Sequence, residues 1–221
     1  MDEKIILEGV VGSKAYGIDT PESDTDMMGI FLHPTVKTLS LHKGEKTIFK
    51  TNPNLNSHDI KYHEVEKYFT LALKCNPTIL ELMYLNEYTA LTREGQMLID
   101  IRDSFLHTSI YLSYGKYALN EAKELYNKHE IGETHTRHKQ HARHCFRLLQ
   151  QGRELLENSV LNVKVEDLEI LFNISDMEIN DMMRLFSTTY EEFKEIKTSL
   201  PDEPDYKRIN DVLIKIRRMN L

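Results

Sequence analysis

The hydrophobic period of this 221-residue chain changes along its length, and that change limits the folds open to it. Residues 4–12, KIILEGVVG, form a short apolar run that meets Gly12-Ser13. A second run, MMGIFL, follows the turn-forming segment GIDTPESD. Apolar runs of that length bounded by turn residues predict strands. Further extended pieces are expected near 47–50 and 58–62, separated by the turn-rich TNPNLNS. Val65, Tyr68, Phe69 and Ala72 then recur at i, i+3, i+4, i+7, which is the apolar face of a helix. Asn76-Pro77 stops that helix and starts another, with Asn76 as N-cap and Pro77 at the first helical position. Beyond about residue 95 the pattern is helical almost throughout, in segments near 109–128, 136–158, 164–174, 176–186, 189–198 and 205–219. The expectation is an α+β chain. A mixed sheet with flanking helices occupies residues 1–95, and an all-helical domain over residues 96–221 completes a cleft.

Between the first two strands lies the pattern that carries chemistry: Gly12-Ser13, ten intervening residues, then Asp24-Thr25-Asp26. Residues two apart on a strand share a face, so Asp24 and Asp26 would present adjacent carboxylates. Two like charges that close repel unless a cation lies between them. Mg²⁺ suits such a pair, because it takes one or two carboxylates, keeps several waters and completes its shell with substrate phosphates. Glycine lets the backbone approach a ligand closely, and Ser13 adds a hydroxyl for a triphosphate tail. A site with two metal ions wants a third carboxylate, and Asp59 is the choice, with Glu45 and Glu64 as rivals. The competing reading of Asp24-Thr25-Asp26 is a solvated acidic turn. Lys14, between the two halves, is a candidate phosphate contact that competes with an ordinary surface role.

Composition narrows the partners. The formal net charge of −7 argues against a protein coated in nucleic acid. From His135 to Arg153, however, Arg137, Lys139, Arg143, Arg147 and Arg153 occur with four histidines and no carboxylate. A local basic face suits a confined phosphate-bearing substrate, and His144 and Arg147, adjacent at i, i+3, would hold phosphate. Zinc binding by the histidines is disfavoured, because steps of three drift around the helix and the interleaved cations repel a metal. Tyr111, Tyr114 and Tyr117 are expected in the core. Cys75 and Cys145 are far apart in sequence and expected as reduced thiols. No membrane-spanning run or signal peptide is recognisable, so the expected address is cytoplasmic, with no membrane partner.

The stretch GSKAYGIDTPESDTDMMGIF resembles the Gly-Ser…Asp-x-Asp element of the DNA polymerase β nucleotidyltransferase superfamily. It is most similar to the bacterial and phage branch associated with RNA ligase and RNA repair. That branch reads Gly-Ser-x-Ala-Tyr-Gly, then Ser-Asp-x-Asp, then Gly-Ile/Val-Phe/Tyr, here Gly12 to Gly17, Ser23 to Asp26 and Gly29 to Phe31. A second block, HDIKYHEVEKYFTLALKCNPTILELMY, is similar to the family's Asp-bearing strand, helix and Asn-Pro-x-x-x-Glu-x-Leu segment. It carries over Asp59, Asn76, Pro77 and Glu81. A third, HCFRLLQQGRELLENSVLNV, resembles the His-x-x-Arg-Leu-Leu helix and carries over His144 and Arg147. The chain departs from the family at Gln140, where a lysine is usual, and at Thr25, where an apolar residue is usual.

The resemblance implies a polymerase β-like fold, Mg²⁺ (two ions, with Mn²⁺ as a substitute) and a nucleoside triphosphate. Asp24, Asp26 and Asp59 would be catalytic and metal-ligating. Gly12, Ser13, Lys14, His144 and Arg147 would bind the nucleotide. The expected reaction moves a nucleoside monophosphate onto a hydroxyl acceptor, with an RNA end (tRNA or repaired RNA) favoured. The alternatives are transfer of AMP to a protein hydroxyl, as small antitoxin-type enzymes do, and a non-catalytic nucleotide- or partner-binding module. Base preference and oligomeric state leave no trace in the sequence.

Overall fold

A computed structural model describes residues 3–21, 23–51, 59–130 and 135–221, with the backbone path alone at residues 51, 59 and 135–137. The expected turn over TNPNLNS therefore lies almost wholly outside the described residues. The chain forms two compact units, residues 1–105 with 203–221, and residues 106–202.

The first unit is built on a five-stranded mixed sheet in the order β3-β4-β2-β1-β5. Its strands are β1 (Lys4–Val11), β2 (Asp26–Leu32), β3 (Thr47–Thr51), β4 (Asp59–Glu64) and β5 (Ala90–Leu91). β2 and β4 run parallel, and the other pairs are antiparallel. Helices α1 (Ser13–Tyr16), α2 (Thr35–Leu39), α3 (Val65–Ala72), α4 (Pro77–Met83) and α5 (Arg93–Ile99) fill the connections. All four residues of the apolar stripe on α3 are buried. The Asn76 side chain caps α4 by accepting from the Ile79 N–H, with Pro77 in the first turn. Gly95 lets α5 lie against β1, since a Cβ there would stand 2.1 Å from the Ile6 carbonyl oxygen.

The unit ends with α10 (Tyr206–Met219), which returns from the far end of the sequence. Arg217 places Nη2 2.7 Å from buried Glu64. Thr35 donates its hydroxyl to the Arg217 carbonyl at 2.6 Å. Asn220 accepts from the Thr35 N–H at 3.0 Å and donates to Glu94 at 3.3 Å. A break near residue 95 therefore does not describe the units. α5, the short 3-10 turn Arg102–Phe105 and α10 group with the sheet, because their partners are β1, Glu64 and Glu94.

The second unit contains α6 (Ile110–Glu130), α7 (His135–Asn158), α8 (Leu168–Ser175) and α9 (Ile179–Lys194). Small residues, Ala118 and Ala122 on α6 and Ala142 on α7, are buried in its core. A Cβ on Gly152 would meet the Phe193 ring at 2.8 Å, so that glycine admits α9. The two helices expected at 176–186 and 189–198 are mostly one, α9, since neither glycine nor proline separates Phe186 from Thr189. Tyr114 is fully buried as expected, but Tyr117 is exposed. Cys75 and Cys145 are buried thiols with no disulfide. Among the described residues, no helix is long and apolar enough to cross a membrane.

Candidate active site

Gly12 has φ +72°, a conformation that L side chains rarely adopt. It sits opposite Asp26 at the strand ends, where Val11 pairs with Asp26. A Cβ at Gly12 would lie 2.6 Å from Asp26 Oδ2, so the absent side chain makes room for the carboxylate. The next four residues form α1, a single helical turn that Gly17 ends in the left-handed conformation. Its amide donates to the Lys14 carbonyl at 3.2 Å, and the Ile18 amide to the Ser13 carbonyl at 3.0 Å.

Tyr16, buried in that turn, donates its hydroxyl to Glu81 Oε2 at 2.6 Å. Glu81 is itself buried in α4, and the bond spans 65 residues of sequence. The Gly-Ser turn is thereby fastened to a helix of the core. Tyr16 packs beneath the loop, and Glu81 positions it.

Between α1 and β2, Ser23 closes a tight turn. Its hydroxyl accepts from the Thr20 N–H at 2.8 Å, and its own N–H donates to the Thr20 carbonyl at 2.9 Å. That turn delivers Asp24 just before β2 and Asp26 as its first residue, both exposed. Lys14 donates its ammonium to the Thr25 hydroxyl, between the two acids. A hydroxyl at position 25, where the family commonly has an apolar residue, thus holds a positive charge beside two carboxylates.

Asp59 is the first residue of β4. The parallel register pairs Met27 with Ile60, and one step back it aligns position 59 with position 26. Paired residues in a sheet share a face. Of the two rivals to Asp59, one is otherwise engaged. Glu64 is buried, caps α3 through the Glu66 N–H at 2.8 Å and pairs with Arg217. Glu45 lies in an exposed loop, and its carbonyl meets His33 Nε2 at 2.9 Å. Among the described side chains no group of three His, Cys, Asp or Glu could hold a metal ion, and the Asp59 side chain lies outside that set.

The residues proposed on the helical half have a different setting. Arg147 is buried and donates from Nη1 to Gln151 Oε1 at 2.6 Å. Gln151 in turn donates to the Asn162 and Val163 carbonyls at 3.0 and 3.3 Å. His144 is partly buried, and its pKa is pushed down to about 4 by burial and by the Arg147 charge. Arg143 is buried with its guanidinium 4.9 Å from the Phe172 ring centroid.

Three residues of the segment that reads as basic, His141, Lys139 and Arg153, meet carboxylates from other elements. His141 Nδ1 meets Glu121 Oε2 at 2.7 Å, and Lys128 meets His141 Nε2 at 2.8 Å. The lysine can only donate, so the ring donates from Nδ1. That hydrogen bond holds the Glu121 pKa below its ordinary value. Lys139 pairs with Asp176 at 2.5 Å, and Arg153 with Glu192 at 3.2 Å. Sequence adjacency showed the cations together and hid the acids that face them. The Lys14–Thr25 and Tyr16–Glu81 contacts were equally hidden, since neither has a fixed spacing that would reveal it.

The model of the RNA repair pathway DNA polymerase beta family (RlaP) matches residues 1–185. No curated protein matches the chain at a significant level. Among solved structures, a nucleotidyltransferase-like protein from Exiguobacterium sibiricum 255-15 aligns at 10% identity with a TM-score of 0.35, covering 97% of this chain and 74% of that one. A likeness that weak has no bearing on function.

Proposed function

The chain belongs to the RNA repair pathway DNA polymerase beta family, whose general activity is nucleotidyl transfer, and we propose that it moves a nucleoside monophosphate from a nucleoside triphosphate onto the hydroxyl of an RNA end. The observation that carries this reading is the meeting of three elements at one end of the sheet. Asp26 fills the space that Gly12 leaves beside it, Asp24 precedes it by two residues, and the β4 register aligns position 59 with position 26.

These residues fit a hard divalent cation. Asp24 and Asp26 are exposed, they offer oxygen donors only, and the cradle at Gly12 is one that any Cβ would fill. Asp24, Asp26 and Asp59 would hold the ions. A Mg²⁺ ion held there would neutralise charge on the triphosphate and would lower the pKa of the acceptor hydroxyl.

The chain itself holds and aligns the reactants. Gly12 and Ser13 receive the triphosphate tail on a turn anchored through Tyr16 and Glu81. Lys14 stands beside the acids as a phosphate contact. In the reaction the acceptor oxygen forms a bond to the α-phosphorus and the bond to the bridging oxygen of pyrophosphate breaks. Pyrophosphate leaves with that electron pair, and the hydroxyl proton passes to solvent. Positioning and electrostatics do most of this work.

His144 and Arg147 are carried in the proposal by family resemblance. The bond from Arg147 to Gln151 favours a packing role for the arginine.

The test is transfer from each α-phosphate-labelled triphosphate, with Mg²⁺ or Mn²⁺, onto bulk RNA and onto protein, beside Asp24→Ala/Asp26→Ala. Label on RNA that disappears in the variant is the expected result. Label on protein alone would replace the acceptor, and metal-dependent nucleotide binding without transfer to either would leave a binding module.

A further inference from the structure

Phe49 is 72% exposed on β3, the edge strand of the sheet. Single exposed apolar residues are common on protein surfaces, so exposure alone says little. Its surroundings say more. Phe49 pairs with Lys61, and Thr51 pairs with Asp59. Paired and alternate residues share a face, so positions 49, 61 and 59 lie on one side of the sheet. The ring therefore stands two strand positions from Asp59, roughly 7 Å along the strand.

Lys61 brings its ammonium 5.7 Å from the Phe49 ring centroid. Lys67, from the first turn of α3, donates to Thr47 at 2.7 Å, one alternate position along β3 from Phe49. Buried His63 pairs with Thr47, and its pKa is pushed down to about 4 by burial and then by Lys61 and Lys67. Both ammonium charges thus reach the same part of the sheet. Two neighbouring acids are turned elsewhere, since Glu64 and Glu66 face Arg217 at 2.7 and 4.0 Å.

We infer that Phe49, with Lys61 and Lys67 beside it, is a platform on which the single-stranded end of an RNA acceptor stacks a base and sets its phosphates. The inference rests on the nucleotidyl-transfer reading above and names where its acceptor lies. An aromatic ring flanked by ammonium groups matches single-stranded nucleic acid, whose bases stack without regard to sequence while the backbone meets the charge. A protein partner is a poorer match, because standard interfaces cover about 800 Å² on each side and this patch offers one ring among lysines. The ring also lies on the side of the sheet that carries Asp59, where an acceptor hydroxyl must arrive.

The full-length protein is titrated against a fluorescein-labelled single-stranded RNA of about 12 nucleotides, a length within the range of single-strand sites. Anisotropy is read for wild type, Phe49→Ala, Phe49→Trp and Lys61→Ala. Metal-dependent binding of a fluorescent nucleoside triphosphate is measured on the same samples. Phe49→Ala should weaken RNA binding about tenfold, and Phe49→Trp should hold it within about twofold. Lys61→Ala should flatten the salt dependence by about 0.7 in the log–log slope. Triphosphate binding should be unchanged in all three variants, which alter exposed or half-exposed positions.

RNA binding by Phe49→Ala at the wild-type level overturns the platform, as does absence of RNA binding by the wild type. A wild-type dimer that Phe49→Ala converts to monomer, with RNA affinity unaltered, would assign the patch to a second copy and also overturn it. The two readings fail separately. Nucleotide transfer with RNA binding indifferent to Phe49 removes the platform alone, and Phe49-dependent RNA binding by a protein that takes no triphosphate removes the transfer reading.

Discussion

In the sheet unit, Asp24 and Asp26 stand exposed at the end of a strand, whereas in the helical unit Arg143 and Arg147 are buried. Removing an ionised group from water costs several kcal/mol, and only good hydrogen bonds or pairing return it. Arg147 donates to the neutral amide of Gln151, which returns part of that cost. Asp24 and Asp26 avoid the cost by staying in solvent, where two like charges side by side still disfavour one another. The helical unit buries two of its cations, whereas the sheet unit keeps two acids at its surface beside the Lys14 ammonium, where a divalent cation can reach them. A buried cation is committed to its packing; exposed acids stay accessible to a ligand.

Substitutions can break that contrast. The largest effect is expected from Asp26→Ala, which should lower nucleotide transfer by about a thousandfold, the scale of losing a principal electrostatic stabiliser. Its melting temperature should stay near that of wild type, since exposed substitutions seldom exceed about 0.5 kcal/mol. Arg147→Ala should do the reverse. It removes the partner of Gln151 and should cost about 2–4 kcal/mol in urea unfolding. Triphosphate affinity measured below the unfolding transition should change little. A large loss of affinity in a stable Arg147→Ala protein would return that residue to the binding site.

The pH dependence sharpens the comparison, because each unit carries a histidine with a depressed pKa, His63 in the sheet unit and His144 in the helical unit. Each folded-state value is about 4 against an ordinary 6.5. Between those values the unfolded chain binds more protons than the folded one, so stability falls as pH drops through the window. Above pH 6.5 the effect vanishes, and below about 4 it levels off. Each histidine accounts for up to about 3 kcal/mol. Urea midpoints between pH 7 and 4 should decline for wild type and decline less steeply for His144→Gln. An unchanged slope would mean that His144 keeps its ordinary pKa in the fold.

The smallest effect concerns Tyr16→Phe. Losing its bond to buried Glu81 should cost about 1–2 kcal/mol and should raise KM for the triphosphate more than it lowers kcat. A purely structural role would lower the melting temperature and leave KM alone.

Legibility in the sequence divides along similar lines. Local periodicity exposed β1, β2, β4 and the apolar stripe of α3, because alternation and 3.6-residue spacing are written in neighbouring residues. The Gly-Ser and Asp-x-Asp elements were visible for the same reason, since one turn and two strand ends hold them together. Features made by distant partners were not. β5 is two residues without a pattern of their own, held by pairing with Leu7 and Glu8. α10 reads as one more helix of the second half, yet Arg217 finds Glu64 and Asn220 finds Glu94 across most of the chain. Part of the basic tract of α7 meets acids that are not adjacent in sequence, with Lys139 on Asp176, Arg153 on Glu192 and His141 on Glu121. Phe49 carried no signal either, since only its pairing with Lys61 and the position of Asp59 give an exposed ring a context.

The most direct test of the central claim is Mn²⁺ binding followed by electron paramagnetic resonance, in the presence of a non-hydrolysable nucleoside triphosphate. Wild type and Arg147→Ala should remove free Mn²⁺ from solution alike, and Asp24→Asn, Asp26→Asn and Asp59→Asn should each weaken that uptake. Uptake that survives all three carboxylate substitutions would contradict a cation site at the ends of β2 and β4.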